Sequence, residues 1–428
     1  MDRNQRPDPH GNRPIIYALG RLFTRQFSPT PTGIDRLDLR YAEWLLRQRR
    51  DGRPVFFVRQ VCDVMRLVGE QQAEQLIDEL WQKWVLNKPV QVDYRLRRIE
   101  VEGFWLRNKC RSLIKPSLDP KLIKAVQGLG RPYYLNAAHI GAQFAEVHRL
   151  LRERLGAELV FYLHDIIPID YPEYFSNRQG DKIHRGRVQV MAEQGSLVLV
   201  NSLHTANRFA ALCAKEGWRQ PPTQVLYIGV EDHIIEASKQ PPRPLPDYLR
   251  HQLGDTPYFV VVGTIEPRKN HLLLLHIWRK MAQECQESGA SCPKLLIIGR
   301  RGWENENIID LLERCHWIKP HVIEVNGLSD PELIAAIQHA KALLMPSWEE
   351  GWGIPVAEAL TLGTPVICSE IPALRECGQG LAHYIEAIDG AGWSASIYSA
   401  KRLNYSKLNY SPMVWSKHLE SLGNLIIA

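Results

Sequence analysis

Two glutamates on either side of a glycine-rich segment are the side chains in this sequence best suited to binding hydroxyl groups. Glu350 and Glu358 enclose the run G-W-G-I-P-V-A, which follows an apolar strand-like stretch and opens a helical one. Gly351 and Gly353 let the backbone approach a ligand closely. Pro355 is suited to the first turn of a helix, and the free N–H groups of such a turn attract an anion. The two carboxylates would accept hydrogen bonds from vicinal hydroxyls of a sugar or ribose. A glycine-rich turn with a capping glutamate would give the same pattern.

A pair of adjacent cations lies about 80 residues upstream, in the segment V-G-T-I-E-P-R-K-N. Arg268 and Lys269 directly follow a strand-like run and precede a helical one. Arginine offers a two-pronged donor and lysine a point charge, so the pair is suited to neutralising a diphosphate. A solvated pair of loop residues is the ordinary alternative.

The elements that must position these residues are apolar strands that alternate with helices from residue 132 onward. Strands that are apolar throughout are typical of parallel sheets covered on both faces. The run K-Q-P-P-R-P-L-P-D at 239–247 interrupts the alternation and has the composition of a linker. Ligands of such folds bind in the cleft at the carboxyl ends of the strands. We predict the following division of the chain: a disordered tail at 1–12, a first domain at 13–235, a linker at 236–250, a second domain at 251–408 and a C-terminal helix at 409–428.

Charge and composition exclude several classes of protein. The 428 residues carry a formal net charge of +6, too small for a bulk nucleic-acid binder. Residues 1–230 hold 35 basic and 24 acidic residues, whereas residues 231–428 hold 18 basic and 23 acidic residues. This division of charge suggests two domains with different partners, or it reflects chance surface composition. The eight cysteines include no C-x-x-C pair, and the polar N-terminus has no apolar signal core. We therefore expect no metal site and a cytoplasmic protein that could work at the inner face of the membrane.

The two motifs together resemble a definite family. E-G-W-G-I-P-V-A-E has the Glu-x7-Glu pattern of retaining glycosyltransferases of family 4, and V-G-T-I-E-P-R-K-N-H is similar to the diphosphate-binding segment of its mannosyltransferase-like members. The resemblance implies an α/β GT-B fold: two doubly wound, parallel-sheet, Rossmann-like domains with an interdomain cleft and a C-terminal helix crossing back to the first domain. Where the family has a Gly-Arg pair, this chain has Gly263-Thr264, so Arg268 is expected to cover the role of the missing arginine.

The resemblance also implies roles for residues by position. Leu163-His164-Asp165 looks like the segment of the family's active-site histidine, and Thr32-Gly33-Ile34 looks like its first glycine loop. The expected catalytic residues are His164, Arg268, Lys269 and Glu350. The expected donor-binding residues are Gly33, Gly263, Thr264, Arg268, Lys269, Asn326, Gly327, Leu328, Glu350, Gly351, Gly353, Ile354, Pro355 and Glu358. The residues expected on the acceptor side are Asn136, His139 and Asp165.

The resemblance implies a retaining, metal-independent hexosyltransferase without a cofactor. Its donor would be a nucleotide sugar, with GDP-mannose the first candidate and UDP-glucose, UDP-N-acetylglucosamine or a dTDP-sugar left open. Its acceptor would be a glycan or a polyprenyl-diphosphate-linked glycan of a surface polysaccharide, met through the basic first domain at the membrane; no nucleic-acid partner is expected. Two alternatives stay open: a GT-B-like binding protein without catalysis, and a GT-B sugar phosphorylase or epimerase.

Overall fold

The computed structural model describes residues 13–61, 63–88, 115–175, 178–400 and 409–427. The tail predicted at 1–12 lies outside the described residues. Two β-sheets with helices on both faces make up the described part of the chain, in strand orders β4-β3-β2-β1-β5-β6-β7-β8 and β11-β10-β9-β12-β13-β14. The alternation of apolar strands and helices in the sequence therefore predicted the architecture.

The first sheet is parallel except at one strand. Its strands are β1 Ile15–Ala18, β2 Val55–Val61, β3 Val64–Leu67, β4 Ser117–Leu118, β5 Tyr133–Asn136, β6 Glu158–Leu163, β7 Leu197–Val200 and β8 Thr223–Val225. β3 pairs antiparallel with β2, because the two-residue connection between them is long enough only for a hairpin. The sequence around residues 64–130 did not predict this strand.

Helices cover both faces of the first sheet. They are α1 Gly20–Arg25, α2 Gly33–Arg50, α3 Glu70–Trp84, α4 Pro120–Val126, α5 Ala145–Leu155, α6 Ile167–Asp170, α7 Arg178–Gln194, α8 Leu203–Glu216 and α9 Asp232–Ser238. α2 begins at a capping box in which Thr32 and Asp35 satisfy each other's backbone N–H groups, so the loop before it has a fixed geometry.

The second sheet is parallel throughout its described strands, as the sequence predicts. Its strands are β9 Tyr258–Val262, β10 Lys294–Ile298, β11 Val322–Val325, β12 Leu343–Met345, β13 Val366–Ser369 and β14 His383–Ile385. Its helices are α10 Asp247–Leu253, α11 His271–Ser288, α12 Glu306–Arg314, α13 Asp330–Gln338, α14 Ile354–Thr361, α15 Pro372–Cys377 and α16 Gly390–Ala400. Between α9 and α10, the proline-rich segment 239–246 contains no helix or strand.

The last helix, α17 Trp415–Ile427, packs against the first sheet. The Tyr41 hydroxyl of α2 lies 2.8 Å from Nε2 of His418, whose Nδ1 lies 2.6 Å from the Tyr227 carbonyl oxygen. Val230 forms a parallel bridge with Val414 just before this helix. The chain therefore returns from the second sheet to the first, as the family resemblance implies.

One buried apolar cluster joins the two sheets. It runs from Leu37 of α2 through Trp352 to Val356 of α14. Because buried apolar surface is costly to expose, this cluster holds the cleft between the sheets together. Within the part of the chain that the structure describes, no helix is both long and apolar enough to cross a lipid bilayer.

Candidate active site

The two motif loops meet because their strands are neighbours. β9 and β12 pair in parallel at Val260 and Leu343, so the loops that follow them leave the same edge of the sheet. The backbone N–H of Trp348 donates to the Arg268 carbonyl oxygen at 2.9 Å, which ties one loop to the other. Strand order alone therefore brings the two sequence motifs together.

A buried ion cluster forms where these loops meet. Lys269 Nζ lies 2.5 Å from Glu350 Oε1, and an Arg268 nitrogen lies 2.9 Å from Glu350 Oε2. Arg268 also pairs with Glu266 at 2.7 Å and donates to the Glu349 carbonyl oxygen at 2.7 Å. Two cations and two carboxylates therefore balance one another in a place largely shielded from water.

The pKa values in this cluster follow from burial and pairing. Burial alone would raise the pKa of Glu350, but Arg268 and Lys269 outweigh it and lower that pKa to about 2. Burial lowers the pKa of Lys269, and Glu350 opposes the shift. Burial acts against the charge of Arg268 too, yet Glu350 and Glu266 keep its pKa raised. Glu350 is therefore ionised near neutral pH, and a ligand phosphate would compete with it for the two cations.

Glu358 has a different environment from Glu350. It lies in the second turn of α14 and lines a small pocket with Arg36, His233 and Asp330. Burial raises its pKa to about 7; Arg36 opposes the rise, and Asp330 and Glu231 add to it. The two glutamates of the motif thus have pKa shifts of opposite sign, and a ligand that donates hydroxyl protons would satisfy the Glu358 carboxylate.

The glycines of both domains meet at the centre of the cleft. A Cβ at Gly351 would lie 2.4 Å from the His164 carbonyl oxygen, and a Cβ at Gly33 would lie 2.6 Å from Ile354 Cδ1. Gly353 has φ +125°, a left-handed conformation that L side chains rarely adopt. Gly351 needs to be glycine because a backbone atom of the other domain lies so close, and Gly353 because of its backbone conformation. Pro355 follows in the first turn of α14.

The predicted acceptor-side residues lie at the carboxyl ends of β5 and β6. His164 Nε2 donates to the Ala137 carbonyl oxygen at 2.8 Å, and His139 Nε2 donates to the Tyr162 carbonyl oxygen at 2.7 Å. Burial lowers the pKa of His164 to about 4 and that of His139 well below its usual range. Both imidazoles are therefore neutral near pH 7 and act as hydrogen-bonding groups rather than as charges.

Asn136 and Asp165 use their side chains for local structure. The Asn136 amide donates to the Ile140 carbonyl oxygen at 3.0 Å and accepts from the Ala138 N–H at 3.2 Å. Asp165 Oδ1 accepts from the Ile167 N–H at 3.1 Å. Asn136 thus shapes the loop after β5, whereas half-buried Asp165 fixes the start of α6.

The remaining predicted donor residues do not join the ion cluster. Asn326, Gly327 and Leu328 follow β11, two strands away from β9 in the sheet, and strands are spaced by about 4.8 Å. Asn326 and Gly327 are exposed. Thr264 is half-buried at the end of β9, where its methyl group would lie 2.7 Å from a Cβ at Gly302.

Sequence reasoning missed several residues that join the two domains. Arg36 pairs with Asp330 at 2.9 Å across 294 positions of the chain. The Glu376 carboxylate of α15 accepts from the Leu203 N–H at 2.8 Å at the start of α8. No sequence pattern connects partners so far apart. Sequence reasoning also missed Glu266, the first residue of the E-P-R-K motif, although its place two positions before Arg268 could have indicated their ion pair.

No group of three or more His, Cys, Asp or Glu side chains suited to a metal ion occurs among the described residues.

Comparison with known proteins agrees with this geometry. Residues 250–379 match the family model of glycosyl transferases group 1. The serotype-specific mannosyltransferase WbdA of Escherichia coli is 28% identical over 240 residues, which are 54% of this chain and 28% of that protein. The O-antigen chain mannosyltransferase B of Escherichia coli is 27% identical over 248 residues, 57% of this chain and 59% of that protein. The chain thus spans between about a quarter and three fifths of these relatives.

Solved structures share the fold over almost the whole chain. The α,α-trehalose-phosphate synthase of Burkholderia vietnamiensis superposes with a TM-score of 0.56 at 15% identity, covering 97% of this chain and 95% of that one. Anabaena Alr3699/HepE in complex with UDP-glucose superposes with a TM-score of 0.53 at 15% identity, covering 91% of this chain and 89% of that one. At 15% sequence identity, these superpositions establish a shared fold and nothing further. The two motif loops therefore lie in a glycosyl transferases group 1 domain at residues 250–379, within a two-domain GT-B fold.

Proposed function

We propose that this chain is a retaining hexosyltransferase of family 4 that moves mannose from GDP-mannose to a growing, lipid-linked glycan of a surface polysaccharide. The observation that carries the proposal is the buried cluster of Arg268, Lys269 and Glu350, inside a glycosyl transferases group 1 domain. The two relatives named as mannosyltransferases, one serotype-specific and one of the O-antigen chain, support mannose as the transferred sugar.

The donor diphosphate binds where positive charge is already assembled. Arg268 and Lys269 exchange part of their contact with Glu350 for the phosphate oxygens, and the N-terminus of α14 adds its free N–H groups. Glu350 and the backbone of Gly353 then hold the sugar, while Glu358 accepts from the ribose hydroxyls. These cations supply the charge that the departing diphosphate needs, so the reaction requires no metal.

The transfer exchanges one bond at the anomeric carbon for another. The bond from C1 to the diphosphate oxygen breaks, and a bond from C1 to the acceptor oxygen forms on the same face of the sugar. The acceptor hydroxyl proton passes to the leaving diphosphate, whose developing charge Arg268 and Lys269 stabilise. Configuration is therefore retained, and Glu350 does not become a covalent nucleophile.

The acceptor enters from the first domain, beside His164, His139 and Asp165. His164 is neutral, and its ring donates to the Ala137 carbonyl oxygen in the loop that follows β5. The basic residues of 1–230 are attracted to anionic lipid by about 1 kcal/mol each near the surface. Flotation with anionic and neutral liposomes tests this contact, and binding indifferent to lipid charge and to salt would count against it.

Thermal unfolding with a panel of nucleotide sugars tests the donor assignment. GDP-mannose and GDP should raise the melting temperature of the wild-type protein, whereas Glu358→Ala should lose most of that shift. Product analysis by NMR then gives the anomeric configuration, which should match the donor's. A protein that responds to no nucleotide sugar and no nucleoside diphosphate would point to a binding protein without catalysis. A requirement for free phosphate would point to a phosphorylase.

A further inference from the structure

Arg187 is a partly buried cation on α7. Its Nε donates to Gln143 Oε1 at 3.3 Å. Within the described residues, no carboxylate forms an ion pair with it. Burial, followed by the nearby charge of Arg21, lowers its pKa to about 10. A guanidinium held away from water without a counter-charge is costly, so its position needs an explanation.

The surroundings of Arg187 place it in the cleft. His184, one helical turn earlier on α7, donates to the Asp165 carbonyl oxygen at 2.9 Å. The ring of His139 lies 5.6 Å from that of His184 and 4.9 Å from that of His164. Arg187 shifts the pKa of both His139 and His184. Because its partner Gln143 lies in the loop that follows β5, Arg187 lies beside the region at the carboxyl ends of β5 and β6.

The charges that the described residues place around this space do not balance. Arg21 and Arg25 both pair with one buried carboxylate, that of Asp35, at 2.6 and 3.0 Å. Burial lowers the pKa of His139, His164 and His184, so none of the three adds charge near pH 7. A second carboxylate, that of Asp165, already accepts from the Ile167 N–H through Oδ1. A third carboxyl, that of Asp38, interacts with Arg21, but burial raises its pKa to about 7 and it accepts from the Tyr17 hydroxyl. The three arginines in this part of the described structure are therefore only partly balanced by carboxylates near pH 7.

An anion in this space would not be the donor diphosphate. The cations for that group, Arg268 and Lys269, follow β9 in the second domain and pair with Glu350. A guanidinium matches a phosphate group through two parallel hydrogen bonds. We propose that Arg187, assisted by Arg21, binds a phosphate carried by the acceptor. This inference rests on the proposed function.

Calorimetry in phosphate-free buffer tests the site apart from catalysis. The donor site is first saturated with GDP, and inorganic phosphate, mannose 1-phosphate or farnesyl diphosphate is then titrated. Wild-type protein should bind at least one of these probes, and Arg187→Gln should weaken that binding at least tenfold, with Arg187→Lys in between. Preference for mannose 1-phosphate would indicate a soluble sugar phosphate as acceptor, whereas preference for farnesyl diphosphate would indicate a lipid diphosphate.

Arg185→Gln is the matched control, because Arg185 lies on the same helix but pairs with Glu216 at 2.7 Å. It should bind the probes like the wild type. Equal binding by Arg187→Gln, or phosphate binding that GDP abolishes, would overturn the inference. If GDP itself does not bind, the proposed function fails instead. If Arg187→Gln does not fold, Arg187→Lys and phosphate binding by the GDP-saturated wild type still decide the question.

Discussion

Lys269 Nζ and Glu350 Oε1 lie 2.5 Å apart although 81 positions separate them in the chain. The two side chains are largely buried, with exposed fractions of 14% and 9%. An ion pair so shielded is strongly coupled to its neighbours, because removing one member leaves the other's charge without a partner. The pair therefore links the stability of the cleft to the binding of phosphate.

Glu350→Gln should lower both stability and activity. The change leaves Arg268 and Lys269 without their shared carboxylate, and breaking a buried pair costs about 3–5 kcal/mol of unfolding free energy. We expect kcat to fall by about a hundredfold or more, as for loss of a charged group that acts on the transition state. Urea unfolding and steady-state kinetics measure the two effects.

GDP should stabilise Glu350→Gln more than it stabilises the wild type, because the diphosphate supplies the missing negative charge. Glu370→Gln is the control: its pair with Arg375 is exposed, and such pairs contribute at most about 1 kcal/mol. Equal stability losses in the two variants would contradict the assignment of a tightly coupled cluster.

Glu358→Gln should change how stability depends on pH. The folded pKa of Glu358 is raised to about 7 from the ordinary 4.5, so between these values the folded state binds more protons than the unfolded state. The contribution of Glu358 to the free energy of unfolding is complete below about pH 4.5 and is lost as the pH rises through 7. Glutamine resembles the protonated acid. At pH 8 the free energy of unfolding of Glu358→Gln should therefore exceed that of the wild type by at most about 3 kcal/mol.

Urea unfolding at pH 4.5 and pH 8 checks this expectation. The difference in unfolding free energy between the wild type and Glu358→Gln should be small at pH 4.5. At pH 8 the variant should be the more stable of the two. Asp38, whose pKa burial also raises to about 7, is present in both proteins and cancels in the comparison. A difference that does not change with pH would show that the Glu358 carboxyl is not shifted upward.

Gly351→Ala should separate the two loops that meet in the cleft. The new Cβ would lie 2.4 Å from the His164 carbonyl oxygen, a backbone atom that cannot turn away. We expect at least a tenfold loss of kcat/KM and a larger radius of gyration by small-angle scattering. Gly69→Ala is the matched control, since a Cβ at Gly69 would meet nothing within 4 Å and the φ of this residue is not left-handed. A fully active Gly351→Ala protein would show that the close approach is not needed for the reaction.

Glu376→Ala should loosen the contact between α15 and the start of α8. The carboxylate accepts from the Leu203 N–H at 2.8 Å, and a charged acceptor at a helix N-terminus contributes about 1 kcal/mol. Hydrogen exchange at Leu203 and His204 should therefore accelerate by about fivefold to tenfold. Glu376→Gln, which keeps an acceptor but not the charge, should lie in between. Unchanged exchange in Glu376→Ala would mean that Ser202 alone caps the helix.

Much of the architecture follows from local sequence. Apolar strands such as Tyr258–Val262 and Leu343–Met345 alternate with helices, and burial on both faces leaves a parallel sheet as the stable arrangement. Because parallel strands end at one edge, the E-P-R-K and Glu-x7-Glu segments had to be neighbours. The segment 64–67 was missed because a strand of four residues is too short to show a period.

The chemistry of the site depended on contacts between distant parts of the chain. Glu350 and Glu358 have the same side chain and lie in one motif, and burial acts to raise the pKa of both. Arg268 and Lys269 reverse that shift at Glu350, whereas the less cationic pocket of Glu358 leaves its pKa raised. Arg187 looks like any helical arginine in the sequence, and its unbalanced charge emerges only in the folded cleft. Residue types and spacing fix which groups lie at a sheet edge; folding decides their partners and dielectric surroundings, and these set charge and reactivity.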